Sequence, residues 1–96
     1  MQSVEGKITA IDYLPGITPG LSMVEIHLQA GGQSQRVRLA PVGFLKQSGM
    51  VLREGDTVSV KGFPVAGMDG DLIVATELRQ GEKGVALRDP RGRPAW

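Results

Sequence analysis

The sequence predicts a small all-β domain: a five- to six-stranded barrel of the OB type with one short helical turn between strands three and four. Three observations predict it. Apolar residues alternate with period two in short runs, separated by glycine and proline. The first run does not keep to one face, as expected of a strand that bends to take part in two sheets. The longest stretch that breaks the alternation, residues 41–49, falls between the third and fourth strands, where the OB topology carries its helix. An SH3-like barrel is the second choice.

The first strand is read over residues 4–13, VEGKITAIDY. Val4, Gly6, Ile8 and Ala10 share one face, while Ile11 and Tyr13 fall on the other, so a bend or bulge is expected between them, with Gly6 permitting tight curvature. Leu14 to Gly20 is a loop punctuated by Pro15-Gly16 and Pro19-Gly20. The second strand, 21–29, turns Val24, Ile26 and Leu28 inward and Glu25, His27 and Gln29 outward. A tight turn at Ala30-Gly31-Gly32-Gln33 leads to the third strand, 34–40, with Val37 and Leu39 inward and Arg36 and Arg38 outward. In PVGFLKQSG, Pro41 can open a helical turn and Gly49 can end it, with Phe44 and Leu45 facing the core. Residues 50–55 read as a short strand or an extended lead-in to a turn at Gly55-Asp56.

The fourth strand, 57–63, alternates Val58 and Val60 against Ser59 and Lys61, with Phe63 read as core. A turn over Gly67–Asp71 leads to the fifth strand, 72–80, with Leu72, Val74, Thr76 and Leu78 on one face. Residues 85–88 form a short closing strand, and 90–96 an extended C-terminal tail without regular ladder. All 96 residues make one domain.

Composition narrows the function. Glycine at 14 residues suits turns and would weaken a helical bundle. Eleven basic residues oppose ten acidic ones, a smaller surplus than dedicated nucleic-acid binders carry. The absence of cysteine excludes disulfides, thiolate metal sites and cysteine nucleophiles. No stretch reaches a membrane span, and Glu5 and Lys7 follow Met1 too soon for a signal peptide; a native cytosolic start and a trimmed exported chain both fit.

The runs LAPVGFL and GDTVSVKG and the ending LRDPRGRPAW resemble a group of small bacterial OB-fold proteins. Many of that group are uncharacterised and exported, with relatives beside cytochromes or among magnetosome-associated proteins. The likeness spans Val4 to Trp96 and departs from the group at Gly43, where an aromatic residue is expected. It implies the barrel and an exported or periplasmic setting, and it carries over no catalytic residue.

No motif specifies a reaction. His27 is the one histidine and stands on the polar face of a strand, where pairing with Glu25 or an opposite arginine is the expected role. One histidine without cysteine makes zinc a poor fit, so no metal and no cofactor are expected. Asp69-Gly70-Asp71 lacks the further ligands of a calcium loop and reads as a turn. Gly16 with Gly20, and Gly62 with Gly67, lack the lysine and helix of a phosphate loop. Met23, Met50 and Met68 do not cluster as copper ligands.

The preferred function is a non-enzymatic binding or accessory module that contacts another protein, in an exported or membrane-associated assembly. Its surface is Tyr13, Glu25, His27, Arg36 and Arg38, with the first loop. The alternative is single-stranded nucleic-acid binding through Lys7, Arg36, Arg38 and Lys61, helped by Tyr13. It needs aromatic platforms, and the second and third strands carry none. Arg36 and Arg38 also have a plainer reading, a solvated sheet face paired across strands with Glu25. In the tail, Trp96 either folds back to plug the barrel mouth, the preferred reading, or anchors a partner beside Arg88, Arg91 and Arg93.

Overall fold

The alternating runs form six strands and one helix in this computed structural model, which describes residues 1–15, 22–67 and 70–96. Most of the expected first loop, the centre of the Gly67–Asp71 turn, and Met68 and Asp69 lie outside the described residues. The strands are β1 (Gln2–Leu14), β2 (Met23–Ala30), β3 (Gln33–Pro41), β4 (Thr57–Gly67), β5 (Gly70–Gln80) and β6 (Lys83–Ala86), with the helix α1 (Val42–Gln47) between β3 and β4. Their order is β3-β2-β1-β4-β5-β6, and β3 also pairs with β5. The result is a closed five-stranded mixed barrel with β6 added at the edge of β5, and the short helix falls between the third and fourth strands as expected.

The bend of β1 makes closure possible. Its first half, Gln2–Lys7, pairs antiparallel with β4, and its second half, Lys7–Leu14, with β2. A bulge between Ile8 and Ala10 lies where the apolar pattern changes face, and brings Ile11 opposite Ile26. A Cβ at Gly6 would lie 2.6 Å from the Gln29 carbonyl oxygen, so this close approach requires glycine. β2 and β3 form a hairpin whose turn, Gly31 (φ 57°) and Gly32 (φ 81°), has the paired positive angles that match the strand twist. The barrel is closed by two parallel pairs, Val37 with Ile73 and Arg38 with Val74.

Ile8, Ile26, Leu28, Val37, Leu39, Val58 and Val60 fill the interior, each with at most 2% of its surface exposed. The expected face of β5 needs correction. Ile73, Ala75 and Leu78 enter the core, whereas Leu72, Val74 and Thr76 do not belong to its packed cluster. The register with β4 steps from Lys61–Glu77 to Gly62–Ala75, which leaves Thr76 as the extra residue of a bulge and reverses the alternation beyond it. The Thr76 hydroxyl donates to the Lys61 carbonyl across that step. Phe63, expected in the core, instead faces outward opposite Val74, because β4 keeps its alternation with Val58, Val60 and Gly62 inward.

Leu45 is buried under the barrel, while Phe44 stands half-buried at the rim of α1. Residues 50–55 carry no strand and form an extended lead-in with Met50 in the core. The last strand ends at Ala86, two residues before its expected limit. The tail turns at Pro90-Arg91 rather than running extended, and Arg88 bridges to Pro94.

Candidate functional site

Alternation along the β2–β3 hairpin places Glu25 and His27 on the outer side of β2, with Arg38 and Arg36 directly opposite on β3. Glu25 is buried, at 4% exposure, although it points away from the core. Its carboxylate accepts on both oxygens. Arg36 Nη1 lies 3.4 Å from Oε1; Arg38 donates to Oε2 from Nε at 3.3 Å and from Nη2 at 3.1 Å. A carboxylate removed from water costs several kcal/mol unless paired and hydrogen-bonded, and the two guanidiniums supply that compensation. Arg36 also donates from Nη2 to the Gly70 carbonyl at 3.0 Å, tying β3 to the start of β5. The arginines are thereby fixed along the sheet, in the cross-strand pairing the alternation suggested.

The candidate residues do not form one patch. His27 pairs with Asp12, Nε2 to Oδ2 at 2.9 Å, rather than with Glu25 or an arginine. The β1 bulge puts Asp12 opposite Glu25, beside His27 on the outer face. Asp12 is the one member of this cluster that sequence reading passed over; the switch of face in β1 is the signal that could have found it. Tyr13 lies opposite Val24, on the side of β1 that turns toward the barrel mouth. There it stands 60% exposed at a groove of about 200 Å³ lined by Ile11, Val24, Val42, Leu45 and Val51. Tyr13 thus belongs to an apolar groove, away from Glu25, His27, Arg36 and Arg38.

The four cations of the nucleic-acid alternative are likewise separated. Lys7 stands opposite Gln29 and Thr57, and Lys61 opposite Ser3 and Glu77. Strands β1 and β2 lie between Lys61 and the arginines on one side of the barrel, and β5 on the other. Arg36 and Arg38 are already bonded to Glu25.

A second arginine site lies in the tail. Leu87 is fully buried, and the chain then crosses the end of the β3–β5 seam. Arg88 Nη1 donates to the Leu39 carbonyl at 2.9 Å and to the Ala75 carbonyl, next along each strand after the last paired residues. The Trp96 ring covers the guanidinium, 4.8 Å from Cζ to its centroid, and meets Phe44 edge-on at 5.5 Å. Burial pushes the Arg88 pKa below its ordinary value, and the nearby Arg38 charge pushes it the same way. Asp89 organises the following turn, accepting from the N–H groups of Arg91 and Arg93 and from Arg93 Nε. The Arg93 N–H foremost, with its guanidinium and the Arg91 N–H, holds the Asp89 carboxyl below its ordinary pKa. Trp96 folds back onto Arg88 and Phe44, but with 41% of its surface exposed it does not plug the barrel mouth as the preferred reading of the tail has it. The role of Arg88 was not evident from the sequence, because its acceptors are backbone carbonyls.

Among the described residues no group of three or more histidine, cysteine, aspartate or glutamate side chains is placed to hold a metal ion. Among the described residues no helix is long and apolar enough to cross a membrane. No curated protein and no solved structure matches the chain. Residues 1–85, all six strands short of the last residue of β6, match the MamS/MamX magnetosome protein family, and the chain belongs to that family.

Proposed function

We propose that this domain is a non-enzymatic accessory module of a magnetosome assembly, and that it binds another protein through the outer face of β2 and β3. The observation that carries the reading is the buried Glu25 carboxylate held by Arg36 and Arg38 on a face that points away from the core. Stability alone does not call for such a cluster, since apolar residues in place of a buried ion-pair group are often neutral or stabilising. Fixed arginines on a sheet face suit an interface, because little side-chain freedom is left to lose on binding. Family membership supports the assembly in which the module would act.

The test replaces Arg36 and Arg38 together with glutamine in cells that build magnetosomes, and follows the chain by immunoblot through magnetosome purification. The parent is expected in the magnetosome fraction, and the variant to be present in the cell but depleted from that fraction. Equal recovery of both would contradict the proposed face, and absence of the parent from the fraction would contradict the assembly.

A further inference from the structure

The outer face continues past β3 onto β5 and β4. Arg38 lies beside Val74 across the parallel seam, Val74 opposite Phe63, and Leu72 opposite Val65. The two bulges in β1 and β5 produce this continuity: one turns Asp12 outward, and the other brings Leu72 and Val74 to the side on which the alternation of β4 already places Phe63 and Val65. A charged row and an apolar strip therefore run side by side. Leu72 is only 5% exposed and sits flush with the sheet, while Val65 is 42% exposed.

Among the described residues, the guanidiniums nearest the β3–β5 seam, Arg36 and Arg38, share the single carboxylate of Glu25, while Asp12, the other acid turned to this face, is taken by His27. Arg88, bonded to the Leu39 and Ala75 carbonyls next along the strands from the Arg38–Val74 pair, brings a third guanidinium, whose charged form is disfavoured first by burial and then by the Arg38 charge. An added anionic group would relieve that repulsion and accept charge-assisted hydrogen bonds. Resting on the protein-binding reading of this face, we infer that the partner presents an acidic segment with interspersed apolar residues, its carboxylates over Arg36 and Arg38 and its apolar side chains on Phe63, Val65 and Val74.

Other anionic surfaces fit less well. Single-stranded nucleic acid stacks its bases on exposed aromatic rings, and Phe63 is half-buried. A membrane surface takes up projecting apolar side chains flanked by mobile cations, whereas Leu72 is flush and the arginines are tied down. Arginine beside apolar area is the composition of a protein interface.

The test is an amide chemical-shift titration of the whole chain with a synthetic peptide of alternating glutamate and valine. The same peptide with lysine for glutamate, oligothymidylate, and vesicles of phosphatidylglycerol and phosphatidylcholine are the comparison probes. Saturable shifts are expected at Arg36, Arg38, Val65 and Val74, with affinity about tenfold above the lysine peptide, and falling with salt. Arg38→Gln is expected to weaken binding about tenfold. Val65→Glu, at an exposed position that leaves the cluster intact, is expected to weaken it as well. Equal response to the lysine peptide, response only to oligonucleotide or vesicles, no response, or shifts confined to Ser59, Lys61 and Arg79 would each overturn the inference. A silent peptide titration together with loss of the Arg36 and Arg38 variant from magnetosomes would overturn the partner class and leave the binding face standing. Peptide binding together with retention of that variant would instead overturn the magnetosome role of the face.

Discussion

Two regions of this barrel use arginine in opposite ways. On the outer face of β2 and β3, two guanidiniums converge on one buried carboxylate. At the end of the β3–β5 seam, one guanidinium serves two backbone carbonyls beneath a tryptophan ring. The tail site completes a structural gap: the carbonyls of Leu39 and Ala75 lie just beyond the last ladder pair, and Arg88 supplies the missing donor. On the β2–β3 face the two guanidiniums converge instead on a side chain, and only Arg36 adds a backbone carbonyl, that of Gly70. Where an arginine answers carbonyls in a seam, stability explains it. Where two arginines answer one carboxylate on an outer face, recognition explains it better. The family match ends at residue 85, so it includes the first site and stops short of the second.

The largest effect is expected on the β2–β3 face. Glu25→Gln leaves two guanidiniums without their anion and is expected to cost about 2–3 kcal/mol, below the range for a fully buried pair because the arginines keep some contact with water. Urea unfolding measures it. Replacing Glu25, Arg36 and Arg38 together with leucine is expected to cost less than Glu25→Gln alone. A larger cost for the triple variant would give this site the same structural role as the tail and break the comparison.

The tail sharpens it. Arg88→Met is expected to cost about 1–2 kcal/mol, because it leaves the Leu39 and Ala75 carbonyls without that donor while keeping the apolar stem. Amide exchange is expected to rise at the β3–β5 seam and to stay unchanged in the β2–β3 turn. Trp96→Ala is expected to cost about 1 kcal/mol, the scale of one partly exposed cation–π and one edge-on aromatic contact.

The smallest effect belongs to Asp89. Its folded pKa is depressed, so its contribution is fully present above the unfolded carboxylate value near 4 and is lost as pH falls from there through the folded value. Asp89→Asn is therefore expected to melt below the parent at neutral pH and to converge with it in acid. A constant difference across that window would remove the turn's carboxylate from the account.

How far the sequence discloses this molecule depends on whether its period-two pattern stays in phase. The β2–β3 hairpin keeps phase from Val24 to Leu39, and both its core and its outer charges are legible. In β1 the change of phase is itself visible between Ala10 and Ile11, which allows a bulge to be expected there. In β5 it is not visible, because Leu72, Ile73, Val74 and Ala75 are apolar on both faces and either alternation fits. That ambiguity hides the β5 half of the outer strip, whereas Phe63 is legible from the alternation of β4, which puts it on the side of Ser59 and Lys61. Tyr13 stands apart from Glu25, His27, Arg36 and Arg38 for a related reason: beyond the bulge, odd positions of β1 turn toward the barrel mouth and even ones outward. Arg88 is illegible for a different reason. Its partners are two carbonyls from distant strands, and backbone acceptors carry no residue signature.

Site-specific photo-crosslinking in magnetosome-building cells tests the binding face most directly, with the photoreactive side chain placed at position 65 in the apolar strip or at position 79 on β5 outside it. A discrete adduct to a second polypeptide at position 65, absent at position 79 and lost when Arg36 and Arg38 are replaced by glutamine, is the predicted result. Adducts of equal yield at both positions, or none at position 65, would contradict it.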